Sequence, residues 1–329
     1  MNISAETKAI LLLTCPLLGS SESEGLKVLT PTNYRNLLEA CASDGLALSE
    51  LVEPNYEKKV KSLTGHIDTE HVVSLLSRGF QLSQVLDSWA RQNFWVTTIF
   101  EDDYPSRLSE KLRELAPPYL VGVGSKEIFK DLSFGVVGSR NLSEEKLELA
   151  RSYGRIAANE NVPIVSGFAR GADQAAMYES VIRGGRAIGV LAEKMSKVSI
   201  SAETREWIHN DQLTFITTFD PNASFNVGNA MQRNKYIYAL SDAVMVVDAQ
   251  KNEGGTWAGA QEQLKKLHYS PVHTEKGVFS EGLDALRELG ASDIVNGDLN
   301  LRFREFLMKL PIQRNIMEVI KSTQLGLFD

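Results

Sequence analysis

Hydrophobic and polar positions follow two different rhythms along the chain. Up to about residue 92, apolar residues recur at spacings of three and four, as in "NYRNLLEACASDGLALSELV" and "DTEHVVSLLSRGFQLSQVLDSWARQ". That period predicts amphipathic helices. Asp68 stands before the second run with His71 three residues on, the position of an N-cap without a capping box. After "EDDYPSRL" the rhythm changes to short apolar runs: "FGVVGS", "VPIVSG", "AIGVLA", "LTFITT", "AVMVVDA" and "SPVHT". Helix-length stretches such as "SEEKLELARSYGRIAANEN" and "WAGAQEQLKKL" separate them. Strand and helix in alternation predict an α/β fold, a Rossmann-like parallel sheet with helices on both faces, preceded by a small all-helical domain. The expected division is 1–92 helical, 93–296 Rossmann-like, and 297–329 a short helical tail.

Composition narrows the class without naming a function. At 329 residues, 43% hydrophobic and 23% charged, the chain can bury a sizeable core, and two domains are expected. A net charge of −7 argues against coating nucleic acid with the whole surface, yet a local basic groove stays compatible with it. The two cysteines, Cys15 and Cys41, can form no disulfide framework and lack metal-ligand spacing, which fits a reducing, cytoplasmic setting. The run "AILLLTCPLLG" is too short to span a bilayer and reads as a buried helix.

Chemistry concentrates at the carboxyl ends of the expected strands, where ligands of open α/β sheets sit. In "VVGSRNLS", Gly138 and Ser139 make a turn, Arg140 projects, and Ser143 caps the next helix. The second and third glycines of a dinucleotide fingerprint are missing, and Glu144 and Glu145 would repel a phosphate from that helix start. In "IVSGFARGAD", Gly167 and Gly171 allow close backbone approach, Arg170 supplies a cation, and Asp173 either caps the helix or holds Arg170. Arg233 and Lys235, with Asn234 between them, are expected at the start of a helix facing an anion. Gly255 and Thr256 open a further helix, with the Thr256 hydroxyl as donor; Trp257 is either core or a stacking surface. No catalytic constellation emerges. The five histidines (66, 71, 209, 268, 273) are scattered, no Walker A sequence is present, and neither a metal nor a cofactor is expected.

These stretches together, from "FWVTTIFEDDYPSRL" through "APPYLVGVG", "FGVVGSR", "IVSGFARGAD" and "QRNKYIYALSDAVMVVDA" to "GGTWAGA", resemble the DNA-processing protein A (DprA/Smf) family over residues 94–296. The resemblance implies a non-enzymatic, cytoplasmic single-stranded-DNA-binding protein that forms a homodimer and helps load a RecA-type recombinase during natural transformation and DNA recombination. It also implies a helical domain in front, of the SAM or helix-hairpin-helix type. Carried over by position, Gly138, Ser139 and Arg140, then Ser166, Gly167, Arg170 and Gly171, then Arg233, Asn234 and Lys235 become DNA- or phosphate-binding residues, joined by Gly255 and Thr256. Lys235 stands where the family has arginine, keeping the charge but losing the bidentate fork. Other departures mark a divergent branch. "VLAEKMSKVSISAETREWI" lacks the family's glycine-rich turn and Tyr-Pro, Trp257 and Gly259 replace an aliphatic residue and a threonine, and Asp248 replaces a glutamate. The tail is too short for a winged helix. The departures bear on recombinase loading more than on DNA binding. By analogy with divergent relatives in anti-phage loci, a role in antiviral defence as an antitoxin-like regulator of a neighbouring effector is a further expectation.

The terminal "QLGLF" resembles the short peptide that docks proteins on the replication sliding clamp, with Gln324, Leu325, Leu327 and Phe328 as its anchors. A rival reading is a sensor or hydrolase for a small nucleotide, with Glu193 or Asp248 as a carboxylate on a ribose.

Overall fold

The protein is described by a computed structural model covering residues 1–17, 26–198, 201–299 and 302–310. The predicted clamp peptide, Gln324 to Phe328, lies outside these residues. Nine strands form one sheet: β1 (Trp95–Thr98), β2 (Tyr119–Val123), β3 (Phe134–Val137), β4 (Ile164–Ser166), β5 (Ala187–Val190), β6 (Leu213–Thr217), β7 (Ala243–Val246), β8 (Val272–Glu275) and β9 (Ser292–Ile294). Their order is β1-β2-β6-β5-β4-β3-β7-β8-β9.

From β6 to β9 every neighbouring pair is parallel. β2 runs antiparallel to β6, and β1 antiparallel to β2. The sheet is therefore mixed, where the apolar runs alone predict a purely parallel one. All six predicted runs are strands, and those from β3 to β8 are buried along their whole length. That burial is what helices on both faces require of a parallel sheet.

Two apolar clusters flank the sheet. One gathers Phe134, Tyr153, Phe215 and Met177 with the helices Glu144–Asn159 and Ala172–Ile182. The other gathers Val165, Val244, Ile237 and Leu286 with the helices Val227–Leu240, Gly254–Glu262 and Glu281–Glu288. Phe134 sits centrally, 4.8 Å from Phe303 and 5.7 Å from Tyr153 between ring centroids. Phe303 opens the helix Phe303–Lys309, whose first backbone N–H groups donate to the Glu160 carboxylate at 2.9 and 2.7 Å.

The amino-terminal region folds as the helices Ala5–Thr14, Pro31–Ser43, Tyr56–Lys61, Thr69–Leu76 and Gly79–Arg91. Asp68 caps the fourth as its position predicts, accepting from the His71 N–H at 3.0 Å. The buried face of the first helix (Ile10 to Leu13) and Trp89 belong to the same apolar cluster as Phe134. The buried Arg78 guanidinium donates to the carbonyls of Leu12 and, at 3.4 Å, Cys15, covering the carboxyl end of the first helix. No described helix is long and apolar enough to cross a membrane.

β3 lies between β4 and β7. The chain leaves β3 through Glu144–Asn159 to β4 on one side, and leaves β7 through Gly254–Glu262 to β8 on the other. The connections diverge there, opening the crevice beyond the carboxyl ends of the strands that open α/β sheets use for ligands.

Candidate functional site

Four segments meet at this crevice: residues 138–143 after β3, 167–171 after β4, 247–253 after β7, and the loop after β6 that leads into Val227–Leu240. Glycines set how closely they meet. A Cβ on Gly138 would lie 2.6 Å from the Ala172 Cβ, so Gly138 lets the second loop's helix pack against the first loop. Gly171 has φ +100°, and a Cβ there would lie 2.4 Å from the Ser139 carbonyl oxygen and 2.9 Å from the Arg140 Cα. The first two loops are thus in backbone contact, and only glycine permits it.

Several predicted ligand groups turn out to be committed to the protein itself. The Thr256 hydroxyl donates to the Gly138 carbonyl at 2.9 Å, and the Asn234 amide to the Gly255 carbonyl at 3.1 Å. Ser139 donates through its N–H to the Asp248 carbonyl at 3.2 Å, and the buried Ser166 hydroxyl donates to the Val136 carbonyl. These four hold neighbouring segments of the crevice together. Ser143 caps its helix, accepting from the Lys146 N–H at 3.4 Å.

Arg233 and Lys235 do not lie at a helix start. Asn226 is the cap, accepting from the Asn229 N–H at 2.7 Å, so Arg233 falls in the middle of Val227–Leu240. There it is 8% exposed, and its guanidinium lies against Gly167, where a Cβ would come within 1.2 Å of Nη1. Asp173 neither caps the helix nor holds Arg170. Its carboxylate accepts from the N–H groups of Gly167 (3.1 Å) and Ala169 (3.4 Å) and faces Arg233 Nη1 at 3.8 Å. Burial pushes the Asp173 carboxyl up, opposed by Arg233 and the two N–H donors; burial lowers the Arg233 guanidinium, opposed by Asp173. Lys235 pairs with Glu262 at 3.2 Å.

Arg140 and Arg170 are different. Both are exposed, and among the described residues neither has a carboxylate partner within ion-pair distance. Arg170 donates to the neutral Asn141 amide oxygen at 2.9 Å. Arg140 lies over the ring of Phe225, 5.4 Å from its centroid. Phe225, 45% exposed, is the feature that sequence reasoning missed. A phenylalanine inside the polar loop "DPNASFNVGN" was the available signal. Trp257, the stacking candidate named from sequence, is buried, and so is Tyr236. Asp248 is bound to Lys146 at 2.8 Å and to the Ser280 hydroxyl at 3.0 Å, while Glu193 is exposed. Among the described residues, no group of three or more histidine, cysteine, aspartate or glutamate side chains is arranged to hold a metal ion.

Three comparisons place this architecture. The chain is 29% identical over 235 residues to DNA processing protein DprA of Streptococcus pneumoniae, a match covering 70% of this chain and 82% of that one. It is 26% identical over 166 residues to protein Smf of Borreliella burgdorferi, covering 48% of this chain and 51% of the other. The X-ray structure of S. pneumoniae DprA matches the fold with a TM-score of 0.65 at 21% identity, covering 92% of this chain and 98% of that one. A Helicobacter pylori DNA processing protein A structure, described for its single-stranded DNA binding mode, matches with a TM-score of 0.53 at 20% identity, over 66% of this chain and 98% of that one. The model of the DNA recombination-mediator protein A family matches residues 95–302, from β1 past β9, and the chain belongs to that family.

Proposed function

We propose that the chain binds single-stranded DNA across the carboxyl edge of β3 and β4, with Arg140 and Arg170 on phosphates and the Phe225 ring against a base. The observation that carries this is the pair of exposed guanidiniums with neutral partners, on two loops locked together through Gly171. Such cations gain most from a phosphate, because no internal ion pair has to break first. Family membership and the H. pylori relative, whose description names single-stranded DNA binding, support the same ligand. The rival ribose-binding reading loses one of its acceptors, since Asp248 is already tied to Lys146 and Ser280.

Fluorescence anisotropy with labelled oligo-dT and a matched duplex, over a salt series, tests the proposal. Tighter binding of the single strand, weakened by salt and by Arg140→Ala and Arg170→Ala, is expected. Equal affinity for strand and duplex at low salt, or arginine variants that bind like the parent, would overturn it. Recombinase loading and the defence-adaptor role both begin from this strand-bound state. Faster RecA nucleation on strand covered by single-strand-binding protein is the outcome specific to loading.

A further inference from the structure

Arg233 looks like a phosphate ligand in the sequence and is placed unlike one in the structure. Its guanidinium is buried beneath the Gly167 backbone, in a space that exists only because residue 167 has no side chain. Asp173 faces it at 3.8 Å and accepts from the Gly167 and Ala169 N–H groups, so the same carboxylate addresses Arg233 and the loop above it. The loop is held in an uncommon conformation. Phe168 has φ +56° and is buried, with its ring 4.8 Å from Phe215 and 5.5 Å from Tyr178. Past Arg170, Gly171 touches the backbone of Ser139 and Arg140. A continuous line of contacts therefore runs from Arg233 through Gly167 to both exposed arginines.

We infer that Arg233 is a positioning residue: it acts on the bound strand through the Gly167–Gly171 loop, setting where Arg170 and Arg140 stand, and does not itself touch phosphate. The inference rests on the strand-binding proposal above. The Arg233 guanidinium fills the space where a residue 167 side chain would stand. A lysine would keep the charge and lose the plane.

The salt dependence of binding separates positioning from contact, because only a neutralised phosphate changes the slope. Each direct contact adds about 0.7 to the slope of log K against log salt for a single strand. Arg140→Ala and Arg170→Ala should each reduce the slope by about that amount. Arg233→Lys and Gly167→Ala should each weaken oligo-dT binding by about tenfold, with the slope of the parent protein, and their double variant should be little weaker than either. Circular dichroism and the unfolding midpoint confirm that each variant is folded. Phenylglyoxal labelling of the unaltered protein, read by mass spectrometry, needs no variant at all. Arg140 and Arg170 should react and be protected by oligo-dT, while Arg233 should stay unreactive with or without DNA.

Full retention of affinity in Arg233→Lys, a slope lowered in either Arg233→Lys or Gly167→Ala, or Arg233 labelling that DNA suppresses would overturn the inference. Failure of the underlying proposal has a different signature: Arg140→Ala and Arg170→Ala would then leave both affinity and slope unchanged.

Discussion

Gly171→Ala tests the interlock of the two arginine loops. Two costs follow from the structure. The residue has φ +100° and ψ −133°, a region that glycine enters freely and alanine does not, and the backbone strain costs about 1–3 kcal/mol. The added Cβ would stand 2.4 Å from the Ser139 carbonyl oxygen and 2.9 Å from the Arg140 Cα. Both obstacles are backbone, so no side-chain rotation relieves them, and crowding of this kind adds about 1–3 kcal/mol. The sum is about 2–6 kcal/mol, a large part of the roughly 5–15 kcal/mol that holds a domain folded. Gly184→Ala is the matched control: Gly184 has φ +80°, but a Cβ there meets nothing within 4 Å. It should lose only the strain, about 1–2 kcal/mol. Urea titration at constant m-value reads both variants on one scale. The difference between them isolates the crowding. If Gly171→Ala costs no more than Gly184→Ala, the loops part easily, and the idea that they hold Arg140 and Arg170 in one geometry is wrong.

Three further outcomes are expected. Phe225→Ala should weaken oligo-dT binding by about 1–3 kcal/mol, the range for a stacked base, while leaving the salt slope as it is in the parent; a change in slope instead would mean the ring serves only to place Arg140. His273, buried against Phe306 with ring centroids 5.5 Å apart, is pushed down to about 4 by burial. A depressed folded value stabilises fully above the unfolded value of about 6.5 and is lost as pH falls towards 4, so about 3 kcal/mol should disappear across that window. His273→Leu should flatten that part of the stability–pH curve, measured by unfolding midpoints between pH 7 and pH 4. Glu160→Ala removes the carboxylate that accepts from the Phe303 and Arg304 N–H groups, and should cost about 1 kcal/mol and raise amide exchange in the helix Phe303–Lys309 before it does so in β3.

The sequence pattern reveals strands by their burial and hides those that lack it. β3 to β8 are apolar because both faces are covered, and each stands out as a run. β9 (Ser292–Ile294) is an edge strand with two exposed residues, and its "SDI" carries no apolar pattern to read. β1 and β2 join antiparallel at the other end of the sheet, ahead of the strand–helix alternation that signals the parallel part. The exposed loop positions of Arg140 and Arg170 could be read because each stands beside glycines just past an apolar run. The place of Arg233 could not be read in the same way. Its helix starts at an Asn226 cap six residues upstream of the Gln-Arg-Asn-Lys stretch, and Gly228 in the first turn disguises the start. Whether an arginine faces solvent or a glycine backbone depends on β4 and Val227–Leu240 coming together, which no local window contains.

The net charge of −7 is a poor guide to the ligand, because the fold neutralises most cations near the crevice before any ligand arrives. Lys146 is matched by Asp248, Lys235 by Glu262, and Arg233 by Asp173. In the loops after β3 and β4, Arg140 lies over an aromatic ring and Arg170 beside an amide, with no carboxylate partner among the described residues. Two phosphate contacts per protomer predict a salt slope of about −1.4 for a single strand. If the sites of two protomers share one strand, as the expected homodimer would allow, the slope becomes about −2.8 on a long oligonucleotide and returns to about −1.4 on one too short to bridge them. A slope steeper than either would mean that the paired lysines exchange their carboxylates for phosphates, and that the neutralisation seen inside the fold does not survive binding. The salt series thus counts the cations that reach the strand, and the count distinguishes two exposed arginines from a general basic surface.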